Sequence, residues 1–205
     1  IVDGHVLPRQ ELDALQTGQF ETMPLIVGSN RDEGSLLTAS WPVDSLAAYR
    51  VLMADNFGDA QSEAMRHYPA ASDAQARPAV AAAFADTQFN LGVRLLARAA
   101  ARRGPDVWRY LFMRRRPGQA QGPHHGEEVA YVFDNLRACW GAVPDLACRS
   151  VAAAMGQAWV DFAGGHDPAP AGADRPWSRF DIARDNHFVF DAPLAVGAHW
   201  RRDAL

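Results

Sequence analysis

"MPLIVGSNRDEG", Met23 to Gly34, is the stretch on which the fold turns. Leu25, Ile26 and Val27 form a short run of branched apolar side chains, the pattern of a buried strand, and Gly28 reads as its stop. Ser29, Asn30 and Asp32 follow, residue types whose side-chain oxygens cap turns and helix starts. Glu33 is therefore expected in the turn just past the C-terminal end of a strand. Open α/β sheets place their chemistry there.

Working outward, Ser45 to Tyr68 is mixed helical text closed by Pro69, and Ala76 to Gly104 reads as alanine-rich helix. Arg94, Arg98 and Arg102 recur every four residues and are expected on its wet face, leaving Leu91, Leu95 and Ala99 inward. "DVWRYLFM", Asp106 to Met113, supplies a second strand rich in aromatic and branched residues. A loop from Pro117 to Pro123 leads into His124-His125, and a further helix is expected around Ser150 to Gly165. "WSRFD" and "HFVFD" close the chain as two short segments suited to a hairpin or edge pairing. Strand, helices, strand, helix is the rhythm of one side of an α/β sheet. Two or three core strands are too few to make such a sheet alone, so the reading is an incomplete central sheet with packed helices.

Composition narrows the function classes. Of 205 residues, 48% are hydrophobic and 21% charged, ordinary for a soluble globular chain. Twenty Lys and Arg against twenty-four Asp and Glu give a net charge of −4, which argues against a nucleic-acid partner. The basic run Arg114 to Arg116 reads as a solvated strand end. No apolar run reaches the roughly eighteen residues of a membrane span. Cys139 and Cys148 are too few for a disulfide scaffold and fit no zinc spacing; they either pair across a short loop or both stay reduced. The opening "IVDGHVLP" has no initiator Met, basic leader or signal-like core, and reads as an internal segment or processed end. Cytoplasmic and secreted settings both fit.

"GPHHGEEVAYVF", Gly122 to Phe133, sets two histidines and two glutamates around one glycine. A metal site is disfavoured, because adjacent histidines point apart and no helical two-histidine spacing or third clustered ligand accompanies them. No cofactor is implied. His67, His166, His187 and His199 are scattered and read as surface or packing residues. Glu33 and His125 both follow strands and can converge at one sheet edge. A buried glutamate on Nδ1 would fix the imidazole tautomer and leave Nε2 as a general base toward a hydroxyl. On spacing alone, a lone glutamate after a strand is more often a helix cap or a solvated residue.

These motifs carry a resemblance. "VDGHVLP", Phe20 and "MPLIVGSNRDEG" are similar to the segment around the triad acid of type-B carboxylesterases, the α/β-hydrolase family of bacterial carboxylesterases, para-nitrobenzyl esterase and the cholinesterases. "GPHHGEEVAYVF" resembles the family's GxxHGxExxxVF segment, and "WRYLF", Trp159, Phe162, Gly165, Asp167, Pro168 and Trp177 fit further family positions. Ser178 stands where the family usually has proline, and Gly164 where a polar residue is more typical. The resemblance covers residues 1–205 as the C-terminal part of a carboxylesterase domain. It implies Glu33 as the triad acid, His125 rather than His124 as the base, and Glu128 as a buried carboxylate steadying the site, with Glu127 expected in solvent.

What is absent matters as much. No serine stands in a GxSxG elbow, Ser29 and Ser35 included, and the family's oxyanion glycines are missing too. The resemblance puts both in an N-terminal portion upstream, so the chain is expected to be inert alone and to need that portion as its partner. The implied substrate is a small carboxylic ester, with Leu36, Trp41 and Phe89 as candidate pocket residues that can equally be core or cap packing. Two other readings remain: a catalytically inactive cholinesterase-like binding or adhesion module, and an inert truncated domain.

Overall fold

The computed structural model describes residues 2–201 and 203; the ends of the expected unit, residues 1, 202, 204 and 205, lie outside the described residues. After a short helix α1 (Glu11–Thr17) the chain enters β1 (Leu25–Asn30). It then crosses over through α2 (Leu46–Phe57), α3 (Gln61–His67), α4 (Asp73–Ala85), a wide π turn (Asp86–Asn90) and α5 (Leu91–Arg103) to β2 (Val107–Phe112). A second crossover, α6 (Glu128–Val132), α7 (Leu136–Trp140) and α8 (Leu146–Ala163), leads to β3 (Asn186–Phe190) and β4 (Ala195–Ala198). The sheet runs β1-β2-β3-β4, parallel through β3 and antiparallel at β4.

Alternation along the strands assigns the two faces. Trp108 and Phe112 of β2 and Phe188 and Phe190 of β3 turn to one face, where Tyr131, Leu136, Met155 and Trp177 bury against them. Val107 turns to the other and meets Ala97 and Ala100 of α5. A separate apolar cluster, centred on Tyr49, Met53, Tyr68 and Val80, holds α2, α3 and α4 together. No helix among the described residues is long and apolar enough to cross a membrane.

Several expectations need correcting. Gly28 does not stop β1, which continues to Asn30. Glycine stands there because a Cβ would lie 2.3 Å from the Tyr110 ring on the neighbouring strand. Arg94 is not on a wet face: its side chain is 13% exposed and pairs with Asp185 at 3.5 Å, while Arg98 donates to the Ile182 carbonyl. A later segment of the chain covers that side of α5; only Arg102 of the three is exposed. "WSRFD" is not a strand. It lies against β2 instead, with Trp177 Nε1 donating to the Arg109 carbonyl and the Phe180 N–H to that of Val107. The antiparallel partner of "HFVFD" is β4, a segment too short and glycine-bearing to announce itself. Both cysteines are free, Cys139 exposed and Cys148 buried.

Candidate active site

Parallel β1 and β2 end side by side, and the loops leaving them meet. The Asp32 N–H donates to the Pro123 carbonyl at 3.1 Å, and Asp32 and His124 form an isolated parallel bridge. Asp32 also closes its own turn, accepting the Ser35 N–H at 3.0 Å and the Ser35 hydroxyl at 2.6 Å. Gly34 lets this turn pack on α4, since a Cβ there would lie 1.9 Å from the Ala81 carbonyl oxygen.

That turn drives Glu33 inward, leaving it 5% exposed. Its Oε1 accepts the Asn30 N–H at 2.5 Å, and its Oε2 lies 2.7 Å from His125 Nδ1. Burial pushes the Glu33 carboxyl above its ordinary value, while the Asn30 N–H and His125 pull it back down. An ionised Glu33 can only accept, so its partner nitrogen carries the imidazole proton and Nε2 is left with a free lone pair. The His125 side chain is 45% exposed, so the imidazole as a whole is open to a second molecule or segment.

Aromatic rings line one side of this imidazole. Phe89, from the π turn, lies 4.6 Å from His125 between centroids, Phe84 packs on Phe89, and Trp41 on Phe84. Two of the three candidate pocket residues thus join a continuous row beside His125. The third, Leu36, is 51% exposed and has no ring in that row. A cleft of about 740 Å³ beside the Asp32 turn is lined by Arg31, Ser35 and Arg77 but by neither Glu33 nor His125.

The two glutamates after Gly126 differ from expectation. Glu127 is not in solvent: it is 6% exposed and braces the loop from inside, accepting the His124 N–H at 3.1 Å and Gln119 Nε2 at 2.8 Å, with Arg116 3.6 Å from its other oxygen. Its partners sit in the preceding loop, where sequence pattern is mute. Glu128 is only partly buried, accepts from Asn30 Nδ2, and adds to the upward push on Glu33. In space His125 faces Glu33 while His124 faces Glu127.

Residues that sequence reading missed hold these parts. Ser29 Oγ donates to Asn90 Oδ1 at 2.7 Å, and Asn90 Nδ2 donates to Asp86 Oδ1 at 2.8 Å. Asp86 also takes the Tyr68 hydroxyl and the Arg201 guanidinium. This buried chain ties the π turn, and so Phe89, to the end of β1; the adjacent polar pair Ser29-Asn30 at a strand end was its one signal. No group of three or more His, Cys, Asp or Glu that could hold a metal occurs among the described residues.

A buried carboxylate on Nδ1 of an imidazole, at the C-terminal edge of a parallel sheet, is an arrangement that can fix the ring's tautomer and support proton transfer at its other nitrogen. By comparison with known proteins, the chain belongs to the carboxylesterase family, whose model matches residues 1–202. The four-stranded open sheet with its helices is accordingly part of an α/β-hydrolase fold. Among similar proteins are fumonisin B1 esterase of Sphingopyxis macrogoltabida, 39% identical over 96% of this chain and 37% of that protein, and the secreted triacylglycerol lipase LIP1 of Gibberella zeae, 28% identical over 73% of this chain and 28% of that protein. The chain spans well under half the length of these relatives.

Proposed function

We propose that this chain supplies the acid, Glu33, and the base, His125, of a Ser-His-Glu triad that hydrolyses carboxylic esters, with the serine and oxyanion donors in a part of the protein outside it. The contact of Glu33 Oε2 with His125 Nδ1 at 2.7 Å carries the reading, together with the exposure of nearly half of the His125 side chain. Family membership and the two relatives, one an esterase and one a lipase by name, support ester hydrolysis as the chemistry.

In the mechanism, Nε2 of His125 takes the serine proton as the oxygen attacks the ester carbonyl, and returns it to the departing alcohol. Water then repeats the sequence on the acyl-enzyme. Glu33 holds the imidazole in the Nδ1–H tautomer and stabilises the imidazolium formed in each half. Glu128 lies behind this pair and helps keep its framework. The row Phe89, Phe84, Trp41 gives an apolar wall against which the acyl or alcohol part of an ester packs, so esters with an apolar arm fit better than small polar ones.

Hydrolysis of a short-chain p-nitrophenyl ester tests the proposal in three proteins: the 205-residue chain alone, the chain with its native upstream sequence, and the long form with His125→Ala. The expected order is no turnover, turnover, near-background turnover, with near-UV dichroism confirming that each is folded. Sustained activity from the short form, or full activity without His125, refutes it.

A further inference from the structure

The last two residues of β1 point to opposite faces of the sheet, and each grips a different part of the site. Ser29 holds the π turn through Asn90. Asn30 does more. Its backbone N–H donates to Glu33, while its side-chain Nδ2 donates to the His124 carbonyl at 2.8 Å and to Glu128 Oε2. Both side-chain partners are pure acceptors, so the orientation of the amide is set by chemistry. One residue, 1% exposed, therefore touches the acid, the loop that carries the base, and the first residue of α6.

The residue is held at a cost. Its Oδ1 is buried with no hydrogen-bond partner among the described residues. A buried carbonyl left unpaired disfavours folding, and an apolar side chain of similar size would avoid that penalty. Such costs collect where local geometry serves function.

We propose that Asn30 is a positioning residue of the triad: by holding the His124 carbonyl and Glu128 through one amide, it fixes the His125 loop against Glu33. The inference rests on the acyl-transfer reading only for its kinetic consequences; the placement of the imidazole can be read without turnover. The ionisable groups around the amide are Glu33, His125, Glu128, His124 and, across β2, Tyr110.

Asn30→Asp keeps the shape and the backbone donor but replaces both side-chain N–H donors by a charged acceptor. In the long form carrying the serine, kcat should fall at least tenfold with KM within twofold. The acid limb of the kcat/KM profile should move to higher pH, because an added negative charge favours every protonated neighbour. Adding Glu128→Gln restores one hydrogen bond with its polarity reversed, the glutamine amide now donating to the carboxylate introduced at position 30, and should recover at least threefold of the lost kcat. A purely structural role predicts lowered thermal stability, unchanged profile and no recovery in the double variant.

The second readout needs no substrate. The Nδ1–H proton of His125, hydrogen-bonded to a buried carboxylate, gives a low-field proton resonance identified by its loss in His125→Ala. In Asn30→Ala it should broaden or move upfield in a protein whose dichroism is native. Asn30→Asp with kcat within twofold and an unshifted profile overturns the inference, as does an unchanged resonance in Asn30→Ala. If the wild type hydrolyses no ester yet the resonance responds, the acyl-transfer reading fails while the positioning role stands.

Discussion

His125 and His187 both lie near a carboxylate on the same sheet, and they differ in almost everything that decides whether an imidazole can work. His125 pairs with a Glu33 that no other cation engages among the described residues, and its side chain is 45% exposed. His187, on β3, is 5% exposed, and the nearby Asp185 is already engaged by Arg109 at 2.9 Å and Arg94 at 3.5 Å. Burial, with Arg109 adding to it, holds His187 down to about 4, so it stays neutral at physiological pH, and its Nδ1 has no hydrogen-bond partner among the described residues. Arg109 is itself pulled below its ordinary value by burial, against the pull of Asp185. Proximity to an acid is therefore insufficient. What counts is a carboxylate not spent on another cation and a ring edge left accessible.

The largest break in this contrast comes from His125→Ala. In a serine-bearing protein it should cost on the order of a million-fold in kcat, by comparison with a protease triad, read from p-nitrophenyl ester hydrolysis. A loss under tenfold would remove His125 from the chemistry. Glu33→Gln keeps the shape but favours the wrong tautomer, and about a ten-thousandfold fall in kcat is expected. His187→Gln, measured beside it, should leave kcat within about threefold; a comparable fall there would erase the distinction.

Stability probes the other half. Asp185→Asn strips the buried guanidinium of Arg109 of its counter-charge and should destabilise by about 3–5 kcal/mol in urea unfolding. A change below about 1 kcal/mol would mean that water or another anion reaches the cluster. The smallest effect is in pH. His187 is depressed in the fold from 6.5 to about 4, so below pH 6.5 the unfolded chain takes up a proton that the folded one refuses. Stability attributable to it is intact above that pH and drains away down to about pH 4, by about 3 kcal/mol in all. The difference between wild type and His187→Gln across that window isolates it, and a constant difference contradicts the burial argument.

How much of this could be read beforehand depends on where the partners lie. Glu33 and His125 were legible because each stands in a short motif whose neighbours shape its own turn: Asp32 closes one, and Gly126, with a positive φ of 78°, bends the other. Glu127, Arg94 and Gly28 were misread because Gln119, Asp185 and Tyr110, which decide their surroundings, are supplied by separate parts of the chain. Trp177 and Phe180 have strand-like chemistry, yet their side chains fill the sides of the sheet, and a single backbone hydrogen bond, from the Phe180 N–H to the Val107 carbonyl, does not extend into a ladder. Periodicity reports one element at a time. It is silent on what covers that element.

Gly34 has a bearing on how such a site can change. With the Ala81 carbonyl 1.9 Å from where a Cβ would sit, the turn that carries Glu33 is seated on helix backbone and not on a side chain. Backbone is the part of a helix that substitution leaves in place. Under the proposed function, Phe89, Phe84 and Trp41 can therefore be exchanged to admit different esters while the acid keeps its address, so selectivity would drift without dragging the proton chemistry along.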